Sequence, residues 1–189
     1  MLQNRCAVFI DGGYFEKVLK YQFNEERINL LEFSELVSGE TERLKTYYYN
    51  CMPMLSDPPT EKEKKLQKDR NRFISSIRKL PRFEIRLGKL VKRSHYDKFG
   101  NLVTKHVQKR VDVLLAVDLV RMSIGGQINK AVMVAGDSDY VPAVETANDA
   151  GVLTQVYYHP TSKSDELLDA CGDRFIITQE LIDKVKLYD

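Results

Sequence analysis

Apolar and polar positions alternate with two different periods along this chain. RCAVFI at 5–10 is a short, unbroken apolar run, the pattern of a strand buried on both faces. It stops at Asp11-Gly12-Gly13, and a helical stretch follows to about Lys20. RLKTYYYN at 43–50 is rich in aromatics and predicts a second strand. A loop with three prolines occupies 52–60. The segment 61–80 predicts a long charged helix, with Leu66, Phe73, Ile77 and Leu80 at helical spacing and Pro81 as its stop. Residues 82–93 alternate like a strand, and 95–106 predicts a hairpin turning at Asp97-Lys98-Phe99-Gly100-Asn101.

The second half repeats a strand–helix rhythm. VDVLLAVDLVRMSI at 111–124 predicts a helix closed by Gly125-Gly126. A strand is expected at 129–136 and a helix at 139–151, with Pro142 in the first turn, where a missing N–H costs little. A strand at 152–159, a short helix at 164–171, a short strand at 175–178 and a last helix from about 179 to 187 complete the chain. This alternation predicts an α/β fold with a mainly parallel sheet, in one domain spanning 1–189.

Composition narrows the class. Hydrophobic residues make up 43% and charged residues 30%, as in an ordinary globular protein. The three cysteines, Cys6, Cys51 and Cys171, are far apart and form no CxxC pair, so neither a disulfide framework nor a zinc site is indicated. No apolar run approaches the ~18 residues of a membrane span. The N-terminus lacks the long apolar stretch and small-residue cleavage site of a signal peptide. A cytoplasmic protein without a membrane partner is expected.

Net charge is only +2, but it is segregated. Residues 61–110 hold 17 Lys or Arg against 5 Asp or Glu, while the rest holds 12 against 22. Such a division suggests a polyanion on one side and a cation on the other.

Candidate chemistry lies at the strand ends, where ligands bind in open α/β sheets. Asp11 follows the first strand, and Asp137, Ser138 and Asp139 follow the strand at 129–135. Asp112 opens the helix after the basic segment. Clustered carboxylates repel each other, and a hard divalent cation with oxygen ligands offsets that cost. Each acid also has a plain alternative, as a turn, cap or first-turn residue. Asp118 lies six positions past Asp112; it points away from that acid and suits a salt bridge with Arg121.

FIDGG at 9–13, KRVDVLLAVDLVRM at 109–122 and VMVAGDSDYVPAVETANDAG at 132–151 together resemble the NYN domain family of the PIN-like nuclease group. The resemblance implies a three-layer α/β/α sandwich with a central mainly parallel sheet. It also implies metal-dependent RNA cleavage by Asp11, Asp112, Asp137 and Asp139, holding Mg2+ or Mn2+. Ser138 lies in the matched motif, as a ligand-orienting or helix-capping residue. Two positions depart from the family. Tyr14 stands where the family often has Asn, and Arg110 where it usually has Gly.

Phosphate contacts come mainly from Lys and Arg. Lys89, Lys92, Arg93, His95, Lys105, His106, Lys109 and Arg110 lie on the hairpin running into Asp112 and are the candidate contacts, with Gly12, Tyr14 and Ser138 at the acidic site. Tyr96 and Phe99 are positioned to stack on unpaired bases or, alternatively, to pack within the hairpin. Lys62, Lys64, Lys65, Lys68, Arg70 and Arg72 form a second patch with Glu61, Glu63 and Asp69 interspersed, as on a solvated helix face. The three histidines have no metal-ligand spacing, and GxSxG and P-loop motifs are absent. The expected partner is therefore nucleic acid, RNA first, with the oligomeric state open. The rival readings are a non-catalytic RNA-binding module of the same fold and an enzyme acting on a small phosphorylated substrate.

Overall fold

The computed structural model describes residues 4–188, apart from the side chains of 90–95 and 102–109. The elements run β1 (Arg5–Asp11), α1 (Gly12–Gln22), α2 (Leu30–Ser38), β2 (Glu42–Cys51), α3 (Glu61–Arg78), β3 (Phe83–Tyr96), β4 (Leu102–Lys109) and α4 (Val111–Ile124). Then come β5 (Lys130–Val134), a 3-10 turn (Ser138–Tyr140), α5 (Val141–Asp149), β6 (Leu153–Tyr158), α6 (Asp165–Ala170), β7 (Asp173–Ile176) and α7 (Gln179–Asp183). The strand order is β4-β3-β2-β1-β5-β6-β7. Six strands are parallel, and only β4 runs antiparallel, against β3. The fold is the expected α/β/α sandwich.

Alternation along the central strands divides the core. Ala7, Phe9, Tyr47 and Tyr49 face the layer of α4, α5 and α6. Val8, Ile10 and Tyr48 face α1, α2 and the C-terminal part of α3. Cys6 through Ile10 is fully buried, which is why that stretch carries no polar position at all. Among the described residues, no helix is long and apolar enough to cross a membrane.

Besides shifts at element ends, with β7 at Asp173–Ile176 and α7 stopping at Asp183 rather than about 187, the structure departs from the expected elements in three places. First, α2 forms in a region to which the sequence pattern assigned no element. Its signals are short: Asn29 accepts from the N–H groups of Leu31 and Glu32 at 3.1 and 3.3 Å, Leu30, Phe33 and Val37 are buried, and Gly39 ends it at φ 59°. Second, the hairpin is longer than 95–106. The first part of β3 pairs with β2 up to Gly88, and the remainder, Lys89 to Tyr96, pairs with β4. The Asp97 carboxylate closes the turn, accepting from the N–H groups of Phe99 and Asn101, both at 2.8 Å. Third, the turn before α5 tightens into a 3-10 segment from Ser138.

At Gly12 the backbone of α1 approaches the ring of Tyr48, where a Cβ would lie 2.5 Å from Cζ. Gly12→Ala is expected to destabilise the fold by roughly 1–3 kcal/mol. In a Tyr48→Leu background the further cost of Gly12→Ala should be much smaller, because neighbouring sites couple. Urea unfolding of the single and double variants checks this; additive losses would show that the contact is not the cause.

Candidate acidic site and its basic approach

The chain lays β2, β3 and β4 on one side of β1 and β5, β6 and β7 on the other. The crevice between the carboxyl ends of β1 and β5 is therefore the topological switch point, where open α/β sheets bind ligands. Asp11 is the last residue of β1, and Asp137 follows β5 by three positions. Asp112 sits in the first turn of α4, which the hairpin delivers to the same edge.

Asp11 is buried and doubly engaged. Its Oδ1 accepts from the Tyr14 N–H at 2.9 Å, capping α1. Its Oδ2 accepts from the Tyr140 hydroxyl at 2.9 Å. The same hydroxyl lies 3.2 Å from Oδ1 of Asp112. A phenol has one proton to donate, so one hydroxyl cannot satisfy both carboxylates. Burial raises the Asp11 pKa, and the nearby Asp112 raises it further. Burial also raises that of Asp112, with Asp137 and Asp139 adding repulsion. Tyr140, itself fully buried, is held far above an ordinary phenol by burial and by both carboxylates.

Asp137 and Asp139 are exposed. The Asp137 side chain, not that of Ser138, caps the 3-10 turn, accepting from the Asp139 N–H at 3.1 Å. Ser138 is half-buried beside it. Among the described residues no group of three or more His, Cys, Asp or Glu converges on one point. The fit to a metal lies instead in the donor chemistry. The donors are all carboxylates, two of them share a single proton donor, and their excess negative charge is what a hard divalent cation neutralises.

Tyr14 contributes its backbone N–H to Asp11, while its side chain braces the sheet edge. Its hydroxyl accepts from the His159 N–H at 2.9 Å. Its ring fills the space over Gly136, where a Cβ would lie 2.4 Å from Cε2. Burial chiefly pushes this phenol up to about 12. An Asn could not reach from the first turn of α1 to the end of β6, so the Tyr14 side chain makes a packing contact that an Asn would not.

One constellation beside the site escaped the sequence pattern. Glu16 on α1 accepts from the Tyr48 hydroxyl at 2.7 Å, from Asn50 Nδ2 at 2.8 Å and from both terminal nitrogens of Arg70, at 2.5 and 2.9 Å. Arg70 therefore leaves the solvated face on which its charge run had placed it and ties α3 to α1. Asp118 meets Arg121 as expected, at 2.8 Å, and also takes Arg86 at 3.0 Å and the Tyr49 hydroxyl at 3.1 Å.

Arg110 is exposed and holds φ 77° at the start of α4. That left-handed geometry explains physically why glycine suits this position. The side chains of Lys92, Arg93, His95, Lys105, His106 and Lys109 lie outside the described residues. The backbone register nonetheless sets Lys89 opposite Lys109, Lys92 opposite His106 and Arg93 opposite Lys105. Tyr96 and Phe99 are 74% and 77% exposed, so neither packs inside the hairpin. Lys98 Nζ lies 5.2 Å from the Phe99 ring centroid.

The family model described as the NYN domain matches residues 5–181. No curated protein sequence matches the chain. A crystal structure of a protein of unknown function from Vibrio parahaemolyticus is similar, with a TM-score of 0.68 and 18% identity over 98% of each chain. That likeness shows a shared fold. The crystal structure of MurG from Acinetobacter baumannii overlaps 93% of this chain and 46% of its own, with a TM-score of 0.39 and 10% identity, too slight to bear on fold or function.

Two measurements probe the site. The carboxyls of Asp11 and Asp112 hold their protons more tightly folded than unfolded. The folded state therefore binds more protons, and metal-free stability falls as pH rises above the ordinary aspartate value of 3.8. Asp11→Asn keeps the cap and removes the repulsion. In EDTA at neutral pH its Tm should rise by a few degrees, since ~1 kcal/mol moves a domain of this size by roughly 2–4 °C. The gain should vanish in acid, and a variant no more stable than the parent contradicts the electrostatic account. Arg110→Gly should leave stability unchanged or raise it by about 1 kcal/mol, because glycine relieves the left-handed strain. Arg110→Ala should bring no such gain in the same urea titration.

Proposed function

Because the chain belongs to the NYN domain family, whose members are in general nucleases of the PIN-like fold, we propose that it is a metal-dependent ribonuclease that hydrolyses phosphodiester bonds in single-stranded or structured RNA. The observation carrying this reading is the pair of carboxylates, Asp11 and Asp112, sharing one Tyr140 hydroxyl at the switch point. The basic hairpin enters α4 directly beside that pair.

In this reading Asp11, Asp112, Asp137 and Asp139 hold Mg2+ or Mn2+. When bound, the cation supplies positive charge and Lewis acidity at the scissile phosphate. The residues of the chain do the rest. Tyr140 donates to Asp11 Oδ2 and keeps the two inner carboxylates at a fixed spacing. Asp137 and Asp139, exposed at the mouth, are open to the entering strand. Arg110, Lys89, Lys92, Arg93, His95, Lys105 and Lys109 supply the positive charge that meets the negative backbone. Gly12 and Ser138 flank the phosphate from the starts of α1 and of the 3-10 turn. Tyr96 and Phe99, both exposed, offer ring faces to unpaired bases. The reading includes a cytoplasmic location.

A second reading, RNA binding without catalysis, has one observation in its favour: among the described residues three carboxylates do not already converge. Labelled RNA and DNA oligonucleotides incubated with magnesium, manganese or EDTA separate the two. The ribonuclease reading expects metal-dependent RNA cleavage that Asp137→Asn and Asp139→Asn each reduce to background with the fold intact. Undiminished cleavage by both variants overturns the assignment, and retention of RNA without turnover in any metal favours the second reading.

A further inference from the structure

We propose that α3 carries a second docking surface for RNA, a ridge of cations that takes the sugar–phosphate backbone away from the acidic site; this rests on the nucleic-acid reading above. α3 is two-sided. Ile74 and Ile77 are buried, Phe73 is half-buried, and Arg70 turns inward to Glu16. At about 100° per residue, Lys65, Lys68, Arg72 and Lys79 fall together on the opposite side. All four are exposed. Lys65, Lys68 and Lys79 make no ion pair among the described residues, and Arg72 meets only the exposed Asp69, at 3.4 Å.

Like charges three and four positions apart on a helix repel. Glu61 and Asp69 lie at helical spacing from Lys65 and Arg72 and offset part of that repulsion, but the ridge keeps an excess of positive charge. Two devices hold α3 in place regardless. The Thr60–Glu63 capping box starts it, and the Arg70–Glu16 pair fastens its middle to α1. Glu16 lies on the helix that Asp11 caps, so the ridge keeps a fixed register to the acidic site. α3 leaves the sheet edge where β2 ends, the edge that also bears Asp11, and returns to the start of β3. At ~1.5 Å per residue, Lys65 to Lys79 spans about 21 Å. Such a ridge meets the strand beyond the cleavage position and matches the phosphate backbone in sign and extent. A membrane surface fits less well, because interfacial helices bury a broad apolar face in lipid, and of the apolar residues of α3 only Leu66 is exposed.

Fluorescence anisotropy in EDTA, with a labelled single-stranded RNA of about 30 nucleotides, tests the ridge separately from catalysis. The test variant is Lys65→Gln/Lys68→Gln/Arg72→Gln. The control, Lys17→Gln/Lys20→Gln/Lys184→Gln, removes the same net charge elsewhere. The ridge predicts that the test variant lowers the slope of log affinity against log salt by about 2, at roughly 0.7 per lost phosphate contact. Affinity should fall on the order of ten- to a hundredfold at roughly 0.1 M salt. The control should change little, and a strand of about six nucleotides, too short to reach from site to ridge, should not distinguish the test variant from the parent. Circular dichroism establishes that α3 remains folded. An unchanged slope, an equal loss in the control, or parental binding to anionic vesicles but not to RNA would overturn the ridge. A changed slope together with no turnover of RNA in any metal would leave the ridge standing and remove the ribonuclease reading.

Discussion

The shared proton of Tyr140 is the constraint around which the acidic site is organised. One hydroxyl joins the end of β1 to the start of α4, and it does so between two carboxylates that it cannot satisfy together. The surroundings make this costly. Asp11 is buried, Asp112 is half-buried, and Asp137 and Asp139 add negative charge to Asp112. The fold tolerates the arrangement because Asp11 is also a helix cap and Tyr140 is locked into the core. The result is a crevice that is short of positive charge while its scaffold is otherwise well packed.

The same logic extends outward. The hairpin of β3 and β4 sets basic positions against one another by register, and α3 lines up cations along one side. Each arrangement gathers basic positions on one surface, and each is held by features unrelated to the charges. Acid within and base around is the distribution expected of a site where a cation and a phosphate backbone meet. Membership of the NYN family and the PIN-like fold agree with that distribution. The individual roles of the residues rest on the chemistry of the site.

Much of this was legible in the sequence, for identifiable reasons. Unbroken apolar runs mark buried parallel strands, so β1 and β5, and with them the places of Asp11 and Asp137, could be read directly. Asp118 was legible as a structural ion-pair residue because helical geometry turns it from Asp112 and toward Arg121. Contacts between distant positions were not legible. Nothing in GDSDYV distinguishes Tyr140 from an ordinary packing residue, since its partners are 129 and 28 positions away. Arg70 looked like one more charge on a charged helix, because Glu16 lies 54 positions earlier. The period of α2 was not legible, although Asn29 and Gly39 bracket its nine residues. The reach of the Tyr14 hydroxyl to the His159 N–H, 145 positions away, was not legible either.

Central to the account is the claim that these carboxylates together form a site for a hard cation. Crystals grown with manganese test it most directly, through anomalous difference density. The account predicts a manganese peak among Asp11, Asp112, Asp137 and Asp139, with oxygen ligands drawn from those side chains. Crystals saturated with manganese that show no peak there, or a peak only elsewhere on the surface, would contradict it.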